Sequence, residues 1–153
     1  MKKVQNEVKV RFLSASENES FSRTLVCGFA LSLKPRVDEL GDIKTAVSEA
    51  VTNAIVHGYR GTVGYIDMLL RTYDDRSLYI KIRDAGCGIA DVKKAMEPLF
   101  TTAPEEERAG LGFAVMDSFM DKLTVKSEVN KGTTVIMIKR IVGIDGYKTE
   151  KSN

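Results

Sequence analysis

The sequence predicts an α+β fold, a two-layer sandwich with helices on one face of a mixed, mostly antiparallel sheet. Short segments with apolar side chains at every second position indicate strands. A longer segment, at about residues 37–58, has apolar side chains at every third or fourth position, which indicates a helix. Polar turns join two pairs of the strand segments, which is typical of antiparallel hairpins. The predicted order is therefore strand, helix, helix, hairpin, loop, helix, hairpin.

The first strand and helix are predicted from the segment that precedes the first proline. Residues 8–12 alternate between apolar and polar side chains, as a strand with one solvated face does. Ser16 is followed three residues later by Glu19, the capping-box pattern of a helix start. The helix is expected to end at Lys34, because the residue before Pro35 is disfavoured in helical conformation.

The central helix, residues 37–58, carries one continuous apolar stripe and a second face that is poor in charge. Between Lys44 and His57 the only charged side chain is Glu49, so we expect the second face to be covered as well. Gly58 is well placed to end the helix. The stripe consists of Leu40, Ile43, Val47, Ala50, Val51 and Ala54.

Two polar residues of this helix form a candidate site. Asn53 lies four residues after Glu49, so the amide and the carboxylate project side by side, one turn apart. Together they could hold a metal-bound polar group. The alternative is a buried glutamate satisfied by a neighbouring amide, which is a structural network without chemistry.

The second half of the chain is predicted to be mostly sheet. A short helix is expected at residues 91–96, and residues 97–104, which contain two of the three prolines, are expected to be irregular. The charge run at 105–108 is interpreted as a solvated loop, followed by a helix that opens at 109–112. Strands are expected at 65–71, 77–83, 123–128 and 133–139.

Composition indicates one globular domain. The chain has 153 residues, and we expect a single domain at 1–142 and a frayed tail at 143–153. With 23 basic and 21 acidic residues, nothing favours direct binding to nucleic acid or to a membrane surface. The absence of a long apolar run predicts a cytoplasmic protein. Cys27 and Cys87 have neither metal-ligand nor disulfide-framework spacing.

The first glycine-rich turn follows a predicted strand that ends at Asp84. Glycines at positions 86 and 88 would let the backbone approach a flat ligand closely, while the carboxylate points into a cavity. A carboxylate suits the exocyclic amine of adenine. The pattern is also common in ordinary turns, so both interpretations remain open.

The second glycine-rich turn is predicted just ahead of a helix. Gly110 and Gly112 would place unpaired N–H groups and the helix dipole near a phosphate, and Arg108 could meet a terminal phosphate. The segment is not a Walker loop, because no Gly-Lys-Ser/Thr follows. It is not a Rossmann fingerprint either, because a third glycine and a βαβ unit are missing.

Four motifs in one order resemble those of the GHKL ATPases, the group that includes gyrase, Hsp90, histidine kinases and MutL. Residues 49–53 resemble the N box, 84–88 the first glycine box, 108–113 the second glycine box, and 132–134 the final threonine motif. The resemblance implies the Bergerat ATPase fold and a site for ATP and Mg²⁺.

One branch of that family, the anti-sigma serine kinases, is still more similar. Residues 48–59 and 98–102 resemble this branch, and residues 18–23 and 119–121 resemble its sporulation members. The likeness covers roughly residues 8–139.

The resemblance implies a role for several residues. Asn53 would coordinate Mg²⁺ bridging the ATP phosphates, and Glu49 would be the general base for the attacking hydroxyl. Asp84 would bind the adenine amine, with Thr133 supporting that contact through water. The lid has Ala103 where relatives often have lysine, which leaves Arg108 as the expected lid cation. The remaining expected ATP contacts are Gly86, Gly88, Thr101, Thr102, Gly110, Leu111 and Gly112.

The implied function is that of an ATP-dependent protein serine kinase and anti-sigma factor. It would bind and inhibit a sporulation sigma factor, sigma F, through a surface that includes Arg23, and phosphorylate an anti-anti-sigma protein. A homodimer is also implied. The alternatives are an anti-sigma B stress-response kinase, an ATP-gated binding module without catalysis, and a detached sensor-kinase ATPase domain. His57 is expected to line the site or end the helix, not to accept phosphate.

Overall fold

After the first strand, α-helices and strands follow one another in pairs along the chain. The computed structural model describes residues 1–97 and 104–146, without the side chains of 104–110. A 3₁₀ turn, Leu31–Leu33, follows the first helix, and a π-helical turn, Asn53–Gly58, follows the second. The strands and α-helices are β1 Val4–Leu13, α1 Glu17–Ala30, α2 Val37–Thr52, β2 Tyr65–Tyr73, β3 Ser77–Asp84, α3 Val92–Met96, α4 Pro104–Phe119, β4 Lys122–Glu128 and β5 Gly132–Arg140.

The sheet has five strands in the order β1-β2-β3-β5-β4, and its four neighbouring pairs are antiparallel. The predicted α+β sandwich is confirmed, although no parallel pair of a mixed sheet occurs among the described strands. Two helices separate β1 from β2, so the chain crosses the sheet twice and β2 returns antiparallel. Within the described ranges, no helix is long and apolar enough to cross a membrane.

The core lies between the sheet and the helices. Alternate residues of β2, such as Ile66 and Leu70, are fully buried and share one core cluster with the fully buried Ile43 and Val47 of α2. Burying each such side chain contributes about 1.5–3 kcal/mol. The covered face of β2 is thus the one that carries alternate apolar side chains.

The predicted capping box at the start of α1 is wrong. Ser16 makes no side-chain cap hydrogen bond, because φ −58° and ψ −34° place it in helical conformation. An N-cap residue needs extended backbone to turn its side chain back to the first N–H groups. The Glu19 carboxylate instead pairs with Arg23 at 3.3 Å.

The start of α2 is anchored by a buried carboxylate that the sequence did not single out. Glu39 is 3% exposed and accepts the N–H groups of Arg36 at 3.0 Å, Val142 at 2.8 Å and Gly143 at 2.9 Å. Burial alone would raise the pKa of Glu39, but these donors together lower it below its ordinary value. Residues 143–146 are helical in turn, and Ile144 donates to the Lys34 carbonyl, so ordered structure extends beyond residue 142.

The second face of the central helix is only partly covered. Ala46 is buried and Glu49 is half-buried, but Thr45, Thr52 and Val56 are exposed. The expectation of a covered face is therefore only partly confirmed, and α4 lies against this face at Glu49 and Asn53, through Gly112. A low content of charge in this helix does not mark burial.

The long helix in the second half begins earlier than predicted. Because α4 starts at Pro104, residues 105–108 lie in its first turns and not in a solvated loop. Proline is favoured at the first helical position and acidic residues are favourable near a helix N-terminus. Gly110 and Gly112 therefore lie inside α4, so the predicted helix start beside them is wrong. A phosphate contact at these glycines stays a prediction. The irregular segment expected at 97–104 falls mostly outside the described residues.

Candidate functional site

A cavity of about 990 Å³ lies between the sheet, the π-helical turn, α3 and α4. Its volume is in the range of small-molecule sites. The floor is formed by β3 and β5, through Ile82, Asp84, Thr133 and Val135. The sequence placed a pocket in this part of the fold, between the central helix and the loop after Gly88.

Asp84 is the buried carboxylate of the cavity, only 6% exposed. It ends β3, directly opposite Thr133 of β5, so the register of the sheet fixes the two residues side by side. Burial raises the pKa of Asp84, and the backbone N–H groups of Gly86, at 2.9 Å, and Thr133 oppose that shift. With no ion pair to any described residue, this acceptor can receive a donor from a ligand.

The glycines after Asp84 serve the packing of the loop. A Cβ on Gly86 would overlap the carbonyl of Gly58, and a Cβ on Gly88, where φ is +72°, would overlap the carbonyl of Glu128. Gly88 lines the cavity, but Gly86 is not among its described lining residues. The expected approach of the backbone to a flat ligand therefore applies to Gly88, whereas Gly86 allows the loop to touch the π-helical turn.

Hydrogen bonds from residues that the sequence did not single out hold this loop. The Ser127 hydroxyl accepts the Ile89 N–H at 2.7 Å and lies 2.8 Å from the Thr133 hydroxyl. The Tyr59 hydroxyl accepts the Ala85 N–H at 2.9 Å. Both roles depend on contacts between distant segments, which no local pattern indicates.

Glu49 and Asn53 lie together under α4, as their spacing predicted. A Cβ on Gly112 would lie 3.0 Å from Glu49 Oε2 and 3.2 Å from Asn53 Nδ2, so a larger residue there would displace these two side chains. Asn53 Nδ2 is buried without a hydrogen-bond partner among the described residues. A buried N–H donor without a partner suits an acceptor from a ligand, such as a phosphate oxygen.

A magnesium ion fits the amide oxygen of Asn53, not its unpaired Nδ2, and only together with other ligands. The described residues contain no group of three or more His, Cys, Asp or Glu side chains that could hold a metal. Mg²⁺ is commonly held by one or two side chains, waters and substrate phosphates. Asn53 therefore suits an ion that a nucleotide brings with it.

The other predicted site residues are placed differently. Leu111 is 59% exposed and is not among the described lining residues. His57 lines the cavity, as expected. Arg23 lies on α1, apart from the described lining residues. Thr101, Thr102 and the side chain of Arg108 lie outside the described residues, and Gly110 is described only by its backbone in α4.

Comparison with known proteins identifies the family. Residues 29–139 match the histidine kinase-like ATPase domain. The "Anti-sigma F factor" of Clostridium acetobutylicum is 49% identical over 142 residues, covering 93% of this chain and 99% of the relative. That of Caldanaerobacter subterraneus is 54% identical over 136 residues, covering 89% and 94%. The chain belongs to the anti-sigma F factor family of histidine kinase-like ATPases.

Solved structures show that other proteins share the fold of this anti-sigma F factor family member. The RsbU and RsbW domains of Rv1364c from Mycobacterium tuberculosis superpose with a TM-score of 0.66 at 17% identity, over 90% of this chain and 32% of that chain. The histidine kinase domain of a blue-light activated kinase from Erythrobacter litoralis gives 0.53 at 18% identity, over 80% and 60%. The family confirms the predicted kinase-like ATPase domain, and it implies that the nucleotide is ATP.

Proposed function

We propose that the chain binds ATP with Mg²⁺ in the cavity, phosphorylates a serine of an anti-anti-sigma protein, and binds and inhibits sigma factor F. The observation that carries the proposal is that the buried acceptor Asp84 and the amide of Asn53 line one cavity. Glu49 is not among the described lining residues, but its carboxylate lies beside Asn53 under Gly112. The names of the relatives supply the class of partner.

The base of the nucleotide would lie at Asp84. The adenine amine donates to the carboxylate, while Ile82 and Val135 provide apolar surface for the ring. The hydrogen bond between Ser127 and Thr133 orients the threonine hydroxyl toward the same end of the cavity. Recognition of an amine by a carboxylate favours adenine over guanine, which presents a carbonyl at that position.

The phosphates would lie toward Asn53, which is the first residue of the π-helical turn. The amide oxygen of Asn53 would hold Mg²⁺, which supplies charge neutralisation at the phosphates. The π-helical turn widens the helix here, and such turns are frequent at functional sites.

Glu49 would act as the general base. Its carboxylate is half-buried, lies one turn from Asn53, and accepts no hydrogen bond from a described residue. A serine hydroxyl at Glu49 can give up its proton as it attacks the terminal phosphate, with the attacking and leaving oxygens in line. The protein then contributes positioning and a proton acceptor.

The test is transfer from ATP to candidate anti-anti-sigma proteins in the presence of Mg²⁺. Glu49→Ala should keep ATP binding and lower transfer by about 10²–10⁴-fold, because a base acts on the chemical step. Glu17→Ala, an exposed glutamate on α1, serves as the matched control. Unchanged transfer in Glu49→Ala would remove Glu49 from its role.

The chemistry of the product separates the alternatives. Acid-stable phosphate on the antagonist identifies a serine kinase, whereas acid-labile phosphate on a histidine-bearing partner indicates a sensor-kinase ATPase domain. A pure ATP-gated binder transfers no phosphate at all.

The sigma-binding surface is proposed around Arg23 of α1. Its guanidinium pairs with Glu19 at 3.3 Å, with 40% of the arginine side chain exposed. Arg23→Ala should weaken binding to sigma F and leave ATP affinity unchanged. Stronger capture of sigma B than of sigma F by the unmodified chain would favour the stress-response alternative.

We also propose a homodimer, with the uncovered face of the sheet as its contact surface. The strand positions that point away from the helices include the half-buried Leu69, Tyr79, Ile136 and Ile138. Light scattering should give twice the monomer mass, and Ile136→Lys should give the monomer. A monomeric unmodified chain would contradict the proposal.

A further inference from the structure

Two neighbouring lysines of α3 differ in their position relative to the cavity. Lys93 and Lys94 are both exposed, but only Lys94 is among the described lining residues. Ala95 and Met96 pack against the core, and the Asp91 carboxylate accepts the Lys94 N–H at 3.1 Å. The backbone that carries Lys94 is therefore held in place beside the cavity.

The charge on Lys94 is not neutralised within the described part of the chain. Its ammonium forms no ion pair with a described residue, including Asp91 one turn earlier. The other described lining cation, Arg60, donates to the His57 carbonyl at 3.3 Å. Arg60 also lies two residues after Gly58, and a Cβ on Gly58 would lie 2.9 Å from Asp84 Oδ1. Arg60 thus belongs to the base-binding end of the cavity, whereas Lys94 provides positive charge on the side formed by α3.

The packing of α3 favours the phosphate end of the cavity as the place where Lys94 acts. α3 packs against α4, and α4 lies against Glu49 and Asn53 through Gly112. A lysine ammonium is a compact charge with three donors on a flexible stem, which suits the oxygens of a phosphate group. We propose that Lys94 is a nucleotide phosphate-binding residue of this site, an inference that rests on the proposed ATP binding.

The test is a series of affinities measured by calorimetry with Mg²⁺, for ATP, ADP, AMP and adenosine. Lys94→Ala should weaken ATP binding about 10-fold or more, as loss of a charge-assisted hydrogen bond does, and leave adenosine binding unchanged. Lys93→Ala, with the same change of charge one residue away, should bind all four ligands as the unmodified chain does. Lys94→Arg should restore most of the ATP affinity.

Each outcome decides the matter. The proposal is supported if Lys94→Ala weakens the binding of a phosphorylated ligand but not of adenosine. The shortest ligand that is affected (AMP, ADP or ATP) identifies the phosphate that Lys94 binds. Equal ATP affinity in Lys94→Ala and Lys93→Ala overturns it, as does an equal loss for ATP and adenosine, which would indicate a structural role. ATP binding by the unmodified chain is measured first. If that chain does not bind ATP, both the proposed function and the role of Lys94 are refuted. If it binds ATP, the variants test Lys94 alone. Thermal unfolding of each variant verifies that it is folded.

Discussion

Asp84→Asn tests the base-binding end of the cavity most directly. Asparagine keeps the size of the side chain and one oxygen for the Gly86 N–H, which lies 2.9 Å from the aspartate. The substitution replaces the second oxygen with an NH₂ group. This group would face the adenine amine, and because both groups are donors, no hydrogen bond could form between them. Losing a hydrogen bond to a charged acceptor costs about 1.5–3 kcal/mol, so the ATP dissociation constant should rise about 10- to 100-fold.

The same substitution should not weaken the fold. Burial raises the pKa of Asp84 above 3.8, so the folded chain disfavours the ionised carboxylate. The free energy of unfolding therefore falls as the pH rises from 3.8 to the raised folded value, and it stays lower above that pH. At neutral pH the asparagine removes this cost, so the melting temperature should be unchanged or higher.

Titration calorimetry with ATP and Mg²⁺ between neutral and acidic pH measures the affinity, and thermal unfolding measures the melting temperature. The affinity of the unmodified chain should fall as the pH is lowered through the raised pKa of Asp84, because a protonated carboxyl is a poorer acceptor. The variant should lack that pH dependence. Asp117→Asn, an exposed aspartate of α4, is the control. ATP affinity that is unchanged in Asp84→Asn would refute the assignment of the base to this end.

Three further predictions concern the packing beside Glu49, the buried carboxylate at the start of α2, and the loop after Asp84. Gly112→Val should abolish both ATP binding and transfer, because a Cβ there would lie 3.0 Å from Glu49 Oε2. Gly28→Ala, where a Cβ meets nothing within 4 Å, should leave both unchanged and raise the free energy of unfolding by up to about 1 kcal/mol. Glu39→Gln should lower the free energy of unfolding by about 1–3 kcal/mol at neutral pH. This difference should shrink as the pH falls below 4.5 and through the lowered folded pKa, as denaturant titrations at several pH values would show. Ser127→Ala should weaken ATP binding several-fold by freeing the Ile89 N–H, and an unchanged dissociation constant would contradict the role of this hydroxyl.

The strands and the central helix could be predicted because their patterns repeat over many residues. Each period-two segment lies within an observed strand, and the expected helix at 37–58 is observed as α2 with its π-helical turn. The helix boundaries were harder. Ser16 fits a capping pattern but has helical backbone, and Pro104 begins a helix that glycines further along seemed to open.

The candidate site was predictable where its residues come from one local motif. Asp84 ends a strand beside a cavity, and Glu49 and Asn53 lie one turn apart, as spacing alone required. Gly112 could not be placed correctly, because its role is close packing against another helix. Ser127 contributes through atoms of residues that are distant in sequence, which single-sequence patterns do not record.

The carboxylate of Glu39 also sets the order in which the chain can be completed. Two of its three backbone donors come from residues 103 and 104 positions later, Val142 and Gly143. A chain growing on the ribosome therefore exposes the first turn of α2 long before those donors exist. In a nascent chain that lacks the last strand, water must solvate the Glu39 carboxylate, and its burial can be completed only after residues 142 and 143 have been synthesised.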